Sequence, residues 1–182
     1  IGMSDRSLAE LVSKCPNIRT LRFKECHFIT DRSMATLEQL KFLEEVDFTK
    51  CLKLHHVKIR SPSLKRIYLC WTNVISCILE CPQLTTLDLS GCADFQEDPS
   101  IPETLKNSAT KLKNFWARAN DGISDLTLGH LAFYGKSLQI LNLCGNRKIS
   151  LQMVERVATS CKTVRRIYLN GCPLEGVEEL QN

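Results

Sequence analysis

No stretch of the 182 residues comes near the roughly 18 consecutive apolar residues needed to cross a bilayer. A basic segment followed by an apolar one is missing from the first residues, so secretion is not expected, and no Asn-x-Ser/Thr sequon occurs anywhere. Charge of one sign is also scarce. The 24 Lys+Arg against 20 Asp+Glu leave a net +4, too small an excess to make nucleic acid or a membrane surface the expected partner. Short catalytic signatures are missing too: there is no GxxxxGK(S/T), no HExxH and no GxSxG. Aromatic residues are sparse at 7%, so each one placed on a surface carries information. What remains, 43% hydrophobic and 24% charged, describes an ordinary core-forming chain long enough for one domain or one array of repeats.

Cysteine is the exception to this plainness, with ten in the chain. A disulfide framework belongs to short secreted chains, which this is not. Zinc would call for CxxC pairs, and the nearest pair, Cys77 and Cys81, has three residues between its members. The cysteines make sense only against a repeat. The pattern L-x-x-L-x-L-x-x-(C/N/T) recurs seven times, starting at Ile18, Leu43, Leu64, Leu84, Leu112, Leu138 and Val164. LTTLDLSGC, LQILNLCGN and VRRIYLNGC are three of the copies. Spacings of 25, 21, 20, 28, 26 and 26 residues fit stacked repeats, each a single supersecondary unit. Cys26, Cys51, Cys92 and Cys172 fall on the ninth position, shared with Thr72, Asn120 and Asn146 in the other copies. Cys15, Cys81 and Cys161 each stand three residues ahead of a repeat. Small periodic thiols of this kind are expected to be buried and reduced, with the ninth side chain facing backbone carbonyls in a turn. Reduced core thiols point to a cytoplasmic or nuclear location.

On these motifs the chain resembles the cysteine-containing subclass of leucine-rich repeats, found mainly in F-box substrate receptors of ubiquitin ligases and in related free-standing repeat proteins. The resemblance runs over almost the whole length. It implies an α/β leucine-rich repeat solenoid, a horseshoe with a concave parallel sheet of about seven strands and a convex side of helices and extended segments. It also implies a non-enzymatic protein-binding module without cofactor. The more specific version is the substrate-recognition part of an F-box-type receptor, reaching its ligase adaptor through a module outside this chain. The alternative is a free-standing adaptor, inhibitor or scaffold unrelated to ubiquitin. Residues 1–182 are expected to form one array, with 1–17 the helical half of an incoming repeat and 18–182 about seven repeats. Neither end carries the polar cap a solenoid needs, and residues 175–182 stop short of a final helix, so a piece of a longer protein is expected.

The segments between strands differ along the chain. Leu8, Leu11, Val12 and Cys15 follow helical spacing behind Ser4 or Asp5 as a cap. Thr30 or Asp31 opens a similar run through Met34, Leu37 and Leu40, and Ser124 or Asp125 and Ser150 begin two more. The two shortest repeats leave no room for a helix, so Leu54–Ile59 and Asn73–Leu79 read as extended outer segments. Thin repeats there should make Leu43–Gln83 flatter or bent and the weakest stretch. The long repeat carries Pro99 and Pro102, which predict an irregular loop before a short helix near Thr104.

Side chains alternate along a strand, so positions four and six face the core while three, five and seven line the concave face. The fifth position runs Arg22, Asp47, Tyr68, Asp88, Trp116, Asn142 and Tyr168; the seventh runs Lys24, Thr49, Cys70, Ser90, Arg118, Cys144 and Asn170. Trp71, at an eighth position, belongs at the rim. Arg22, Lys24, Tyr68, Trp71, Asp88, Trp116, Arg118, Asn142 and Tyr168 are therefore the candidate partner-binding residues, since Trp, Tyr and Arg are the usual interface anchors. The competing account is ordinary packing between neighbouring strands, with Arg22 and Lys24 solvated beside Asp47. Seven strands about 4.8 Å apart make a face of order 450 Å², about half of what one partner contributes to a standard interface. No catalytic residue and no metal site are expected. His55 and His56 are adjacent on an extended segment and point to opposite faces, and Cys81 already has a place in the repeat.

Overall fold

Each repeat spends its third to fifth residues on one short strand, and the strands stack in parallel. The computed structural model describes residues 2–174. Strands β1 (Thr20–Arg22), β2 (Glu45–Asp47), β4 (Arg66–Tyr68), β6 (Thr86–Asp88), β7 (Asn114–Trp116), β8 (Ile140–Asn142) and β9 (Arg166–Tyr168) form a seven-stranded sheet in that order. Equivalent repeat positions pair with one another, so the fifth residues lie side by side from Arg22 to Tyr168. The architecture is the expected α/β solenoid. Residue 1, in the incoming helical half, and the C-terminal stretch 175–182 lie outside the described residues.

Positions four and six pack inward. Val46, Phe48, Ile67, Leu69, Leu87, Leu89, Phe115, Leu141 and Leu143 are fully buried. A turn then ends each strand, and its left-handed eighth residue recurs in all seven repeats, with the ninth-to-sixth backbone bond closed in five of them. The eighth residue has positive φ whether it is Glu25, Lys50, Trp71 and Ala119 or Gly91, Gly145 and Gly171. That conformation belongs to the third residue of a type II turn. It swings the ninth amide back onto the sixth carbonyl, as in Cys51 to Phe48 (2.9 Å) and Asn146 to Leu143 (3.1 Å). The ninth side chain then reaches the sixth carbonyl of the preceding repeat. Cys51 donates to Phe23 (3.0 Å), Cys92 to Leu69 (3.1 Å), Asn120 to Leu89 (2.8 Å), Asn146 to Ala117 (2.9 Å) and Cys172 to Leu143 (3.0 Å). Thiol and amide are interchangeable here because each places one donor at the same reach. The shorter Thr72 hydroxyl turns instead to its own repeat's Leu69 carbonyl (2.7 Å).

On the convex side lie α1 (Asp5–Lys14), α2 (Ser33–Leu37), α3 (Ser100–Ser108), α4 (Asp125–Tyr134) and α5 (Leu151–Ser160). Ser4, Ser124 and Ser150 cap α1, α4 and α5 with their side chains, as their spacing predicts. Acids near the start of one outer element hold the next. Asp5 accepts from the Thr30 amide (2.9 Å), and Asp125 accepts from the Ser150 amide (2.7 Å). Glu97 binds Ser124 and Thr127 through amide and hydroxyl. Burial works to raise the Asp5 carboxyl, but hydrogen bonds from Ser33 and Thr30 and the nearby Arg32 charge outweigh it, holding it below the usual carboxylate range. The run opened by Thr30 yields a shorter helix than its apolar spacing suggests: α2 has five residues and no side-chain cap.

The two short repeats contribute β3 (His56–Arg60) and β5 (Ser76–Glu80), which pair in parallel as a second sheet on the convex side. The extended segments are where the sequence places them, and the helix expected near Thr104 is α3, which begins at Ser100 so that Pro102 lies within it and not in the preceding loop. Pro99 and Pro102 sit at the cap and in the first turn of α3, where no amide is needed for the helix. This helix closes the open edge of β5 with hydroxyls at i, i+4 and i+8. Ser100 accepts from the Cys77 amide (3.2 Å). Thr104 accepts from the Leu79 amide (3.0 Å) and donates to the Cys77 carbonyl (2.9 Å). Ser108 accepts from the Cys81 amide (2.9 Å) and donates to the Leu79 carbonyl (2.8 Å). A helix thus does for this strand what a third strand would do. At the opposite edge, Asp31 and Glu38 accept from the His55 (2.8 Å) and Arg60 (2.7 Å) amides. The stretch expected to be thin has a second, edge-satisfied layer.

All ten cysteines are free; Cys51, Cys77, Cys81, Cys92 and Cys161 are buried, four are partly buried and Cys15 is exposed. Cys81 and Cys161 donate to carbonyls one outer element earlier, Ile59 (3.7 Å) and Leu131 (3.3 Å). Cys15, on the first helix, has no such neighbour among the described residues. Burial pushes the Cys51 thiol up to about 11 and the Cys81 thiol up to about 12. Native-state thiol labelling followed by mass spectrometry should therefore modify Cys15 first and these five last; early labelling of Cys81 would contradict the packing. Thr104→Val should cost about 2–3 kcal/mol in urea unfolding, since it strands a buried donor and a buried acceptor. Thr110→Val, at an exposed site just beyond, should stay within about 0.5 kcal/mol. The amides of Cys77, Leu79 and Cys81 should exchange with deuterium as slowly as those of β6, and fast exchange there would show that the hydroxyl capping is not maintained.

Candidate protein-binding face

The concave face is built from positions three, five and seven, and its centre is aromatic. Tyr68 on β4 and Trp116 on β7 are half-buried, with ring centroids 6.4 Å apart and planes tilted by 44°. Asp88 lies between them in the row and is only 6% exposed. Burial, with the nearby Glu45 charge, raises the Tyr68 hydroxyl above its ordinary value, so it stays protonated. Tyr168 on β9 is 40% exposed. Trp71 stands at the rim with 51% of its surface in solvent. Its indole covers Gly91, the eighth residue of the next repeat, where a Cβ would collide with the ring. Glycine is required at that point by the indole, whereas the positive φ alone is met by side-chain-bearing residues in four other repeats.

Polar fifth-position residues have work inside the turn. One carboxylate oxygen of Asp47 accepts the Thr49 amide (2.9 Å), and one of Asp88 accepts the Ser90 amide (2.9 Å). Asn142 takes the Cys144 amide through its side-chain oxygen (3.2 Å). Part of each of these side chains is therefore committed to the fold. Cys70, on the seventh position of β4, has its thiol pushed far up by burial and by the neighbouring Asp88 charge. A thiol so disfavoured as thiolate is not a nucleophile at neutral pH.

The third position supplies a group that the fifth- and seventh-position rows do not reveal. Glu45, with 10% of its side chain exposed, is clamped between Arg22 (2.9 Å) and Arg66 (2.7 Å). Hydrogen bonding from Arg66, and then from Arg22, outweighs its partial burial and holds its carboxyl below the usual range. Lys24 pairs with Asp47 (3.4 Å), and Arg19 and Lys65 share Glu44 (2.7 and 3.0 Å). The candidates Arg22 and Lys24 thus present charges already held by acids, although 65% and 63% of their side chains remain in solvent. Arg118, by contrast, is exposed and makes no ion pair among the described residues. It borders a shallow hollow of about 420 Å³ with Asn142, Cys144 and Asn170. Arg22, Tyr68, Asp88, Trp116, Asn142 and Tyr168 share one row, Lys24 and Arg118 lie one step along their strands, and Trp71 is at the edge.

Among the described residues no three His, Cys, Asp or Glu side chains gather as a metal site, and no helix is long and apolar enough to cross a membrane. His56 contacts the Ser76 hydroxyl (2.9 Å) on the convex sheet, and His130 stacks on Tyr134 within α4.

No family model matches the chain. A stretch of 91 residues, 48% of this chain, is 31% identical to the disease resistance protein RPP2A of Arabidopsis thaliana, and the match spans only 7% of that protein's length. Among solved structures, an internalin (inlF) of Listeria monocytogenes aligns over the whole of this chain and 62% of its own, with a TM-score of 0.48 and 15% identity. The chain therefore spans only a small part of the curated relative it matches, and the leucine-rich repeat architecture rests on the sevenfold pattern and the stacked strands themselves.

Proposed function

We propose that the chain is a non-enzymatic module that captures a protein on its concave face. The observation that carries this is the Tyr68–Trp116 pair, half-exposed at the centre of a seven-stranded sheet with the unpaired Arg118 beside it. Large rings contribute area while losing little side-chain entropy, and a guanidinium adds directional hydrogen bonds. The sheet face alone is smaller than a standard contact, so the rim, with Trp71, takes part. Cysteine at the ninth position supports the finer reading as the substrate-recognition repeats of an F-box-type ubiquitin ligase receptor, located in the cytoplasm or nucleus. A free-standing adaptor, inhibitor or scaffold is the second reading, and the same concave face would serve it.

Trp116→Ala and Tyr68→Ala should each weaken binding of a captured, identified partner by about 1–3 kcal/mol in calorimetry, the effect typical of an anchor. Lys106→Ala, on the exposed side of α3, should be neutral. Both aromatic variants should keep their unfolding midpoints close to the parent's. Unfolding without any change in residual binding would make those rings core and remove the concave face as the site. Expressed with its native flanking sequence, the protein should co-purify with a cullin-type ligase adaptor; stoichiometric partner binding without that adaptor would favour the free-standing reading.

A further inference from the structure

The two halves of the concave face differ in what their cations and amides are free to do. Around β1, β2 and β4, Arg22, Lys24 and Arg66 each hold a carboxylate of the same face, and Arg19 and Lys65 hold Glu44 at its edge. From residue 112 to residue 174 the chain has nine Lys and Arg against three Asp and Glu, and among the described residues Arg118 and Arg166, both exposed on this face, make no ion pair. The hollow beside Arg118 is also one-sided in hydrogen bonding. The Asn142 side-chain oxygen is occupied by the Cys144 amide (3.2 Å), and the Asn170 side-chain oxygen is the acceptor for the Cys144 thiol (3.7 Å). Each of these oxygens thus already takes one donor, while both residues keep their NH₂ groups for a visitor, next to a guanidinium that has donors only.

From this we infer that the β7–β9 half of the face takes an acidic segment of the partner, seating one carboxylate in the hollow on Arg118, Asn142 and Asn170. The inference rests on the concave-face reading above and names the chemistry of its partner. One guanidinium balances one carboxylate, which favours an Asp or Glu side chain over a doubly charged phosphate at this spot. Arg166 stands two strands across and four residues along from Arg118, about 16 Å away, roughly five residues of an extended chain. A second acid at that interval would meet it. Asn142 is the residue that makes the hollow attractive to anions: it does the turn work that Asp47 and Asp88 do in their repeats, but without their charge.

This gives a substitution that preserves the fold and reverses the electrostatics. Asn142→Asp keeps the acceptor for the Cys144 amide, as at the equivalent positions, and puts a carboxylate beside Arg118. The probe is a fluorescein-labelled peptide carrying two glutamates five residues apart in a Gly/Ser chain, followed by fluorescence anisotropy at low salt, where such contacts are least screened. The glutamate peptide should bind and its glutamine version should not, and Asn142→Asp and Arg118→Gln should each weaken binding at least fivefold with unchanged unfolding midpoints. Equal binding of the two peptides, or full binding by both variants, would overturn the inference. So would tighter binding of a ten-nucleotide thymidine strand with the same loss in both variants, which would make the hollow a nucleic-acid contact. If Trp116→Ala abolishes partner binding while the peptides show no acid preference, only this inference falls. If acid preference and its loss in Asn142→Asp are seen while Trp116→Ala and Tyr68→Ala bind the partner normally, the hollow stands and the aromatic centre does not.

Discussion

The sixth backbone carbonyl of a repeat ties it to the next: at Phe23, Leu89 and Leu143 it receives two donors, and the rest of the array is arranged around that link. One donor is the ninth amide of the same repeat, brought back by a left-handed eighth residue. The other is the ninth side chain of the next repeat. A buried carbonyl left without partners would cost on the order of 1–3 kcal/mol, so the pairing constrains both residues. It explains why cysteine and asparagine alternate at one position. It explains too why four side-chain-bearing residues accept positive φ at the eighth position, where strain would otherwise favour glycine. With each turn fixed to its neighbour, the strands stack in register and the fifth residues fall into one row.

That row joins two electrostatic environments. In the first strands, acids sit low between long cations, and the cations form the outer layer. Such exposed pairs contribute little to stability, so their value lies in the charge pattern they hold. Toward the last strands the acids disappear, and asparagine takes over the turn contact that aspartate makes earlier. The aromatic pair stands at the boundary. A partner lying along the row would meet a balanced half, then apolar rings, then a donor-rich half. Register between the two proteins would follow from that sequence of contacts.

Much of this could be read from the chain before any coordinates. Strand positions, inward residues and the concave row follow from a strict repeat, because a parallel stack reproduces one pattern in every copy. The starts of α1, α4 and α5 were equally legible, with Ser150 named outright and the choice between Ser4 and Asp5 and between Ser124 and Asp125 made by the structure. Other features were hidden for identifiable reasons. Five of the ten thiols are fully buried, since burial depends on which neighbouring repeat packs over the residue, as Cys161 against the Leu131 carbonyl shows. The shortened α2 and the early start of α3 turn on tertiary contacts that local spacing does not carry. Ser100, Thr104 and Ser108 at intervals of four were a visible signal, but without knowing that a strand edge lay opposite they read as ordinary polar residues. Glu45 was obscured because its two arginine partners come from different repeats.

The contact between α3 and β5 also bears on how such an array can grow. The outer sheet ends on one side in carboxylates at the start and finish of the α2 segment and on the other in the α3 hydroxyls. Its two strands are therefore bracketed by helices that recognise an edge, not a particular repeat. A further 20-residue unit inserted between the short repeats would add one inner strand and one outer strand and leave both brackets intact. The same unit placed after β5 would present an equivalent backbone edge to α3, which follows it in the chain, so the three hydroxyls would cap the new strand instead. Duplication of a short repeat is thus accommodated between the two brackets, so the helices on either side fix the stretch within which the array can lengthen.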